Sequence, residues 1–456
     1  MLFNRQIYLD VKSMLFIGLP LVCNNLSSIG VAVADTVMTS RIGSEHLAAI
    51  ALGSGVWISF FLLGVGTLMS IGPTTAQNFG AKKFEAIDAT CKQGFWLATF
   101  ISILVVFAMR SFEPILHLMK IELGVIFLTQ RYLDYLSWGV PAAFLYHTLK
   151  QTSEGVGRTL PIMVIMFVAF PINIILNYFF INGFASFEPM GASGSGLGSA
   201  IAFWLMFFAL AIYVFKSDKY SDFLKSDRLL HSLNTKILKE LVALGFPIGM
   251  NLFFQSALFT SAALILGSMG SAILAAHQIV LNWCALVFMV PLGVAMSLTV
   301  LVGQSMGEGH PVKAKRIGIT GIFFCFLISL FSVAITLFNG LTIARFYSGD
   351  QEIIAVVMKL FMVAAFLQVG DAVQTAATFS LRGLKDTKIP MLLSAFNSVV
   401  IGFIGALFLG VVCDFRELGV WTGLSLSLIL TAIILSIRFF NISTKLTKNS
   451  SINLNT

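Results

Sequence analysis

The sequence predicts an all-α integral membrane protein of twelve transmembrane helices, arranged as two six-helix bundles that repeat one another in parallel. Three observations carry that prediction. Of 456 residues, 57% are apolar and only 11% charged, with a mean hydropathy of +0.91, a balance that would leave a soluble fold with large exposed apolar patches. Apolar stretches of roughly 20 residues, the length that spans a bilayer as a helix, recur twelve times. A constant offset of 227 residues superposes parts of the first half on the second.

The first six stretches lie near 14–38, 47–72, 94–109, 132–149, 161–183 and 194–215. The polar segment 216–240 follows, and six more stretches lie near 244–267, 272–302, 316–338, 353–381, 389–412 and 418–437. The expected organisation is an N-terminal lobe over 1–215, a cytoplasmic linker over 216–240, a C-terminal lobe over 241–440 and a cytoplasmic tail over 441–456. Arg5, Lys12 and Ala32-Val33-Ala34 imitate a secretory signal. The stretch 14–38 is nevertheless long enough to span, and a second version of it appears later in the chain, so it reads as the first permanent span.

Orientation follows from the basic residues. With both termini cytoplasmic, 22 of the 29 Lys and Arg fall on inside segments, among them Lys82, Lys83, Lys150, Arg158, Arg316, Arg382 and Arg438. The seven outside are Arg41, Arg110, Lys120, Arg131, Arg345, Lys359 and Arg416. The same distribution explains the net charge of +8 without a nucleic-acid partner. The five cysteines are scattered, with no C-x-x-C and no cluster with histidine, which argues for apolar packing rather than a disulfide framework or a zinc site.

Under the 227-residue offset, Gly18-Leu19-Pro20 falls on Gly245-Phe246-Pro247 and Asn24 on Asn251. Gly43 meets Gly270, Leu47-Ala48-Ala49 meets Leu274-Ala275-Ala276, and Gln77 with Gly80 meets Gln304 with Gly307. Six spans per half is an even number, so both halves enter from the same side. Parallel repeats of this kind are common in secondary transporters, with substrate between the halves.

Several chemistries are missing. There is no G-x-x-x-x-G-K-[ST] motif and no extramembrane segment beyond about 25 residues, so this chain cannot hydrolyse nucleotide to drive a pump. Neither H-E-x-x-H nor G-x-S-x-G occurs, and no enzymatic activity or cofactor is expected. The run Gly194-Ser195-Gly196-Leu197-Gly198 opens an apolar span and reads as close helix packing, not a dinucleotide loop.

The polar residues inside the spans are the candidate site. Asp35 lies 15 residues past Pro20, roughly 22 Å along a helix. An unpaired ionised carboxylate in a span costs roughly 2.5–3.5 kcal/mol or more. Asp35 is therefore expected to be protonated, to hold a cation or to face water, unless it sits at interfacial depth near Arg41. Asp371, 11 residues before Arg382, is placed about 17 Å from the inner surface. Asn173 and Asn177 share one face of span five, as Ser195 and Ser199 do in span six. Their oxygens suit a partly dehydrated cation or a shared proton, and equally an ordinary bond between helices. His147 and His277 read as satisfied buried polar groups, and Pro20 and Pro247 as kinks.

Ala34-Asp35-Thr36-Val37-Met38, Glu154-Gly155, Asn173 to Asn177, Pro247-Ile248-Gly249, Ala275-Ala276-His277-Gln278-Ile279 and Gln368-Val369-Gly370-Asp371-Ala372 occur in one chain. In this combination, from about residue 14 to 437, the sequence resembles the multidrug and toxic compound extrusion (MATE) family, in its NorM-like branch. The resemblance implies a V-shaped pair of bundles in the bacterial cytoplasmic (inner) membrane. Small amphipathic or cationic drugs would be exported in antiport with Na⁺ or H⁺, by a monomer needing no ATPase subunit. It implies cation or proton coupling at Asp35, Asn173, Asn177 and Ser199, with Na⁺ as a candidate ligand of Asp35, and a second-lobe site at Asp371. The branch's seventh-span glutamate reads Gln255 here, which removes one carboxylate from that second site. Two alternatives stand beside this reading. A lipid-linked precursor flippase of the same superfamily would need buried Lys or Arg, which the expected spans lack, and a channel would need no coupling carboxylate.

Overall fold

The computed structural model describes residues 2–40, 42–183, 188–224 and 232–453. Arg41 and the 225–231 part of the expected linker lie outside them. Eleven helices among the described residues are long and apolar enough to cross a membrane. In the first half they are built from α1 (Leu2–Ser40), α2 (Ser44–Leu68) with α3 (Ile71–Gly80), α4 (Phe84–Arg110), α8 (Leu160–Asn182) and α9 (Ala192–Lys216). In the second half they are α10 (Thr235–Gly267), α11 (Ser271–Gly307), α12 (Pro311–Tyr347) and α13 (Gln351–Gly383). They end with α14 (Lys388–Phe396), which continues through π-helical turns and the short α15 (Gly405–Leu407) to Val412, and with α16 (Arg416–Asn453).

The expected span at 132–149 is not one helix. It is divided between α6 (Leu123–Ser137) and α7 (Val140–Gly155), which follow the short α5 (Glu113–Leu118). Pro141, near the start of α7, has no N–H to continue the ladder. The carbonyl of Trp138 in the break accepts a bond from Trp204 Nε1 at 3.0 Å. Gly139 beside it stands where a Cβ would come within 2.5 Å of the Ala200 Cα, so the break lets α9 approach closely.

Two of the expected segments are helical in part. Residues 235–240 of the expected linker already form α10, whose start is capped by Asn234 Oδ1 accepting from the backbone N–H of Lys236 and Ile237. The expected tail is helical as far as Asn453.

The chain forms two compact units, and their boundaries fall inside helices. One unit is Cys23–Gly249, and the other is Met1–Val22 with Met250–Thr456. Each boundary lies two residues past a proline inside a helix, Pro20 in α1 and Pro247 in α10. Apolar lipid gives helices no hydrophobic reason to associate, so small residues and polar anchors must hold them. At the start of α1, a Cβ on Gly18 would stand 3.0 Å from the Gly293 carbonyl of α11. Arg316 of α12 grips the same segment, its Nε donating to Asp10 Oδ2 at 2.7 Å and Nη1 to Gln6 Oε1 at 2.7 Å. The start of α10 is held in the matching way by α2 and α4. A Cβ on Gly245 would strike the Thr67 carbonyl, while Gln93 donates to Ser232 O at 3.1 Å and accepts from Asn234 N at 3.0 Å.

Candidate functional site

Asp35 is brought to its partners by three helices of the Cys23–Gly249 unit. Its Oδ1 accepts from Asn177 Nδ2 on α8 at 2.5 Å. One helical turn back, Asn173 Oδ1 accepts from the same Nδ2 at 3.1 Å, and Asn173 Nδ2 donates to Ser199 Oγ on α9 at 3.5 Å. The four residues named from the sequence therefore form one chain of contacts across α1, α8 and α9. Asn173, Asn177 and Ser199 are buried, whereas Asp35 is partly open. Asn177 Oδ1 is buried without a donor and is seated against Gly198, where a Cβ would collide with it. The glycine run is thus a packing device, as read from the sequence: Gly194 lies against the Phe180 carbonyl and Gly196 against that of Tyr132. Ser195, read beside Ser199, is buried with its Oγ unpaired and does not join the chain.

Asp35, Asn173 and Ser199 line a cavity of about 470 Å³ within this unit. Its walls are largely apolar and aromatic, including Trp57 and Phe61, whose rings are 4.9 Å apart. A carboxylate with neutral amide and hydroxyl neighbours, opening on an apolar cavity, can exchange a proton or a small cation and can face a cationic amphiphile. Na⁺ favours oxygen donors, and Asp35, Asn173 and Ser199 are the oxygen-bearing residues of the chain of contacts that line the cavity. Among the described residues no group of three His, Cys, Asp or Glu could hold a metal ion.

In the other unit, Asp371 on α13 is buried, and its Oδ1 accepts from Gln255 Nε2 on α10 at 3.2 Å. One turn away, Gln368 Nε2 donates to Thr336 Oγ1 at 3.2 Å, and Trp283 Nε1 donates to the same hydroxyl at 2.8 Å. The structure thus joins the two second-lobe candidates. Pro20 joins neither cluster and lies inside a helix that runs on past Asp35 to Ser40.

Other readings need correction. His147 Nδ1 and both ring nitrogens of His277 are buried without partners, and the rings pack edge-on against Phe61 and Trp421 respectively. Cys23 and Cys413 are exposed, unlike Cys91, Cys284 and Cys325. Lys150 and Arg382, each one residue past an expected span end, are buried within α7 and α13, so basic groups are not confined to solvated loops. The signal for Lys150 was present in the sequence: Ala143, Tyr146, His147 and Lys150 keep the spacing of one helix face, and all line the Asp35 cavity.

Two repeats of membrane-crossing helices, one holding an acidic residue in a cavity, define a multi-pass membrane protein of the layout found in secondary transporters. The chain belongs to the MatE family, whose profile matches residues 20–179 and again 247–408. It is 33% identical to the probable multidrug resistance protein NorM of Pasteurella multocida, over 94% of this chain and 93% of that one. It is 34% identical to the multidrug resistance protein PmpM of Pseudomonas aeruginosa, over 95% and 92%. In fold it matches a multidrug resistance MATE family transporter of the MOP superfamily solved in an outward-facing conformation, with a TM-score of 0.88 at 19% identity over 96% and 97%. It likewise matches the eukaryotic MATE transporter AtDTX14, with a TM-score of 0.86 at 16% identity over 98% and 100%.

Proposed function

We propose that this protein is a secondary active exporter of organic cations and amphipathic drugs, driven by antiport of Na⁺ or H⁺ through alternating access. The names of its relatives support the multidrug part of this reading. The observation that carries the coupling is the bond from Asn177 to Asp35 at the edge of the drug-sized cavity. Loading Asp35 with a proton or Na⁺ from outside removes the charge that holds a cationic drug there, and bending of α1 near Pro20 then narrows the cavity. Unloading toward the cytoplasm restores the charge. The ion must favour one conformation over the other, because equal affinity for both shifts nothing. The pair Asp371 and Gln255 is assigned a secondary role, since one carboxylate with an amide partner is a poorer cation cage than two carboxylates. The chain works as a monomer in the bacterial inner membrane with both termini in the cytoplasm, needing neither an ATPase subunit nor catalysis. A flippase would want several cations around a pyrophosphate, whereas this cavity places a carboxylate opposite a single lysine.

The decisive experiment is drug efflux from sealed vesicles with Na⁺ and pH gradients imposed separately. Asp35→Asn is expected to fold and bind drug yet to lose gradient-driven efflux, and retained efflux would sink the mechanism. Single cysteines at either terminus are expected to be labelled only from the cytoplasmic side; labelling from outside overturns the orientation.

A further inference from the structure

The Asp35 cavity has a second polar end that the proposed coupling leaves unused. On α7, Tyr146, His147 and Lys150 all face it. Tyr146 is only 4% exposed, yet its hydroxyl has no hydrogen-bond partner, and neither has His147 Nδ1. Lys150 is 7% exposed. Its ion-pair partner Glu154 stands 3.9 Å away, beyond the roughly 2.7–2.9 Å of a charge-assisted hydrogen bond. Glu154 does not line the cavity; its Oε2 accepts from Gln151 Nε2 at 3.0 Å, while the Oε1 that faces Lys150 makes no hydrogen bond. Glu154 therefore balances the lysine charge without using its donors. A phenol and an imidazole nitrogen without partners and an ammonium with only a long ion pair converge on one cavity wall. Buried polar groups are normally paired, so the unpaired phenol and imidazole beside the lysine point to a partner that arrives with the ligand.

In the expected order of spans α1 is the first crossing and α7 belongs to the fourth, which sets the two helices in opposite senses. Asp35 lies near the C-terminal end of the α1 stretch that lines the cavity, and Lys150 at the C-terminal end of the α7 stretch. That order places carboxylate and ammonium toward opposite ends of the cavity, whose walls are largely apolar.

We propose that Lys150, with Tyr146 and His147, forms an anion-accepting subsite for a carboxylate carried by a ligand whose cationic end is taken at Asp35. The proposal rests on the reading of this cavity as the drug site. Lys150 acts here as a specificity residue, and the cavity takes zwitterionic amphiphiles as well as simple cations.

A matched pair of dyes tests it: rhodamine B, which carries a free carboxylate, and its ethyl ester, which carries none. Binding is read by fluorescence anisotropy with the full chain in lipid nanodiscs. Wild-type protein is expected to bind rhodamine B at least as tightly as the ester. Lys150→Gln is expected to weaken rhodamine B about tenfold while leaving the ester within about twofold, the loss of one charge-assisted bond. Lys150→Arg is expected to keep the wild-type preference, and Tyr146→Phe to cost rhodamine B about threefold with the ester unchanged. Equal losses of both dyes in Lys150→Gln overturn the subsite. An ester bound tenfold more tightly than rhodamine B by the wild type also overturns it, whether or not the variant folds, and leaves the exporter reading intact. A wild type that binds neither dye removes the subsite and the drug site together.

Discussion

The two units hold their intrahelical aspartates, Asp35 and Asp371, in different ways. Asp35 ends a relay of two amides and a hydroxyl spread over three helices and opens on a cavity. Asp371 has one amide partner, Gln255, and packs beside a separate cluster of Trp283, Thr336 and Gln368. The scaffold around them is nevertheless shared: the glycines and prolines that set the helix crossings recur at a fixed offset. Duplication has kept what positions the helices and let the polar sites diverge. Close backbone approach tolerates only glycine, whereas a polar cluster can be rebuilt by exchanging one side chain.

The largest effect expected from breaking this asymmetry is on coupling. In vesicles, Asp35→Asn should reduce gradient-driven efflux at least about 100-fold, the upper part of the range for a lost coupling energy. Asp371→Asn should reduce it only about tenfold, and Gln255→Glu should leave it active with altered Na⁺ dependence. Equal losses from the two aspartates would mean that both units couple.

The next comparison is between the crossing glycines. Gly245→Ala drives its methyl into the Thr67 carbonyl, whereas in Gly18→Ala the nearest atom is the Gly293 carbonyl at 3.0 Å. Overpacking should cost about 3 kcal/mol for the first and about 1 kcal/mol for the second, seen as unequal drops in melting temperature in detergent. Identical drops would show that the α10 crossing relaxes freely.

The smallest effect should be symmetric. Gly43 and Gly270 occupy repeat-related caps at φ 141° and φ 134°, with open space where a methyl would point. Alanine at either should destabilise by about 1 kcal/mol through backbone strain alone, and a large difference between the two would break the equivalence of the repeats.

Much of this was legible in the sequence. The 227-residue offset reappears in the two family matches, which begin at residues 20 and 247. Asn173 and Asn177 announced a shared face by their spacing, and the family resemblance linked them to Asp35. The break at Trp138-Gly139 was hidden because the apolar stretch runs through it, and hydropathy does not register a missing N–H. Lys150 was hidden for the opposite reason. A basic residue at a span end satisfies a topology rule so well that its place on a cavity-lining face goes unread. The unit boundaries were invisible because polarity marks where the chain leaves the membrane, not where its contacts change.

Those boundaries bear on how such a molecule could have arisen. Each unit is completed by the opening turns of a helix whose remainder belongs to the other, Met1–Val22 in one case and the start of α10 in the other. A single-copy ancestor with this packing has no finished unit of its own. Two separate copies would be whole only by trading the opening turns of their first helices, a reciprocal exchange between subunits. Fusion makes of that encounter between two chains an event within one. Cutting the gene between the repeats should therefore yield fragments that are competent only in each other's presence.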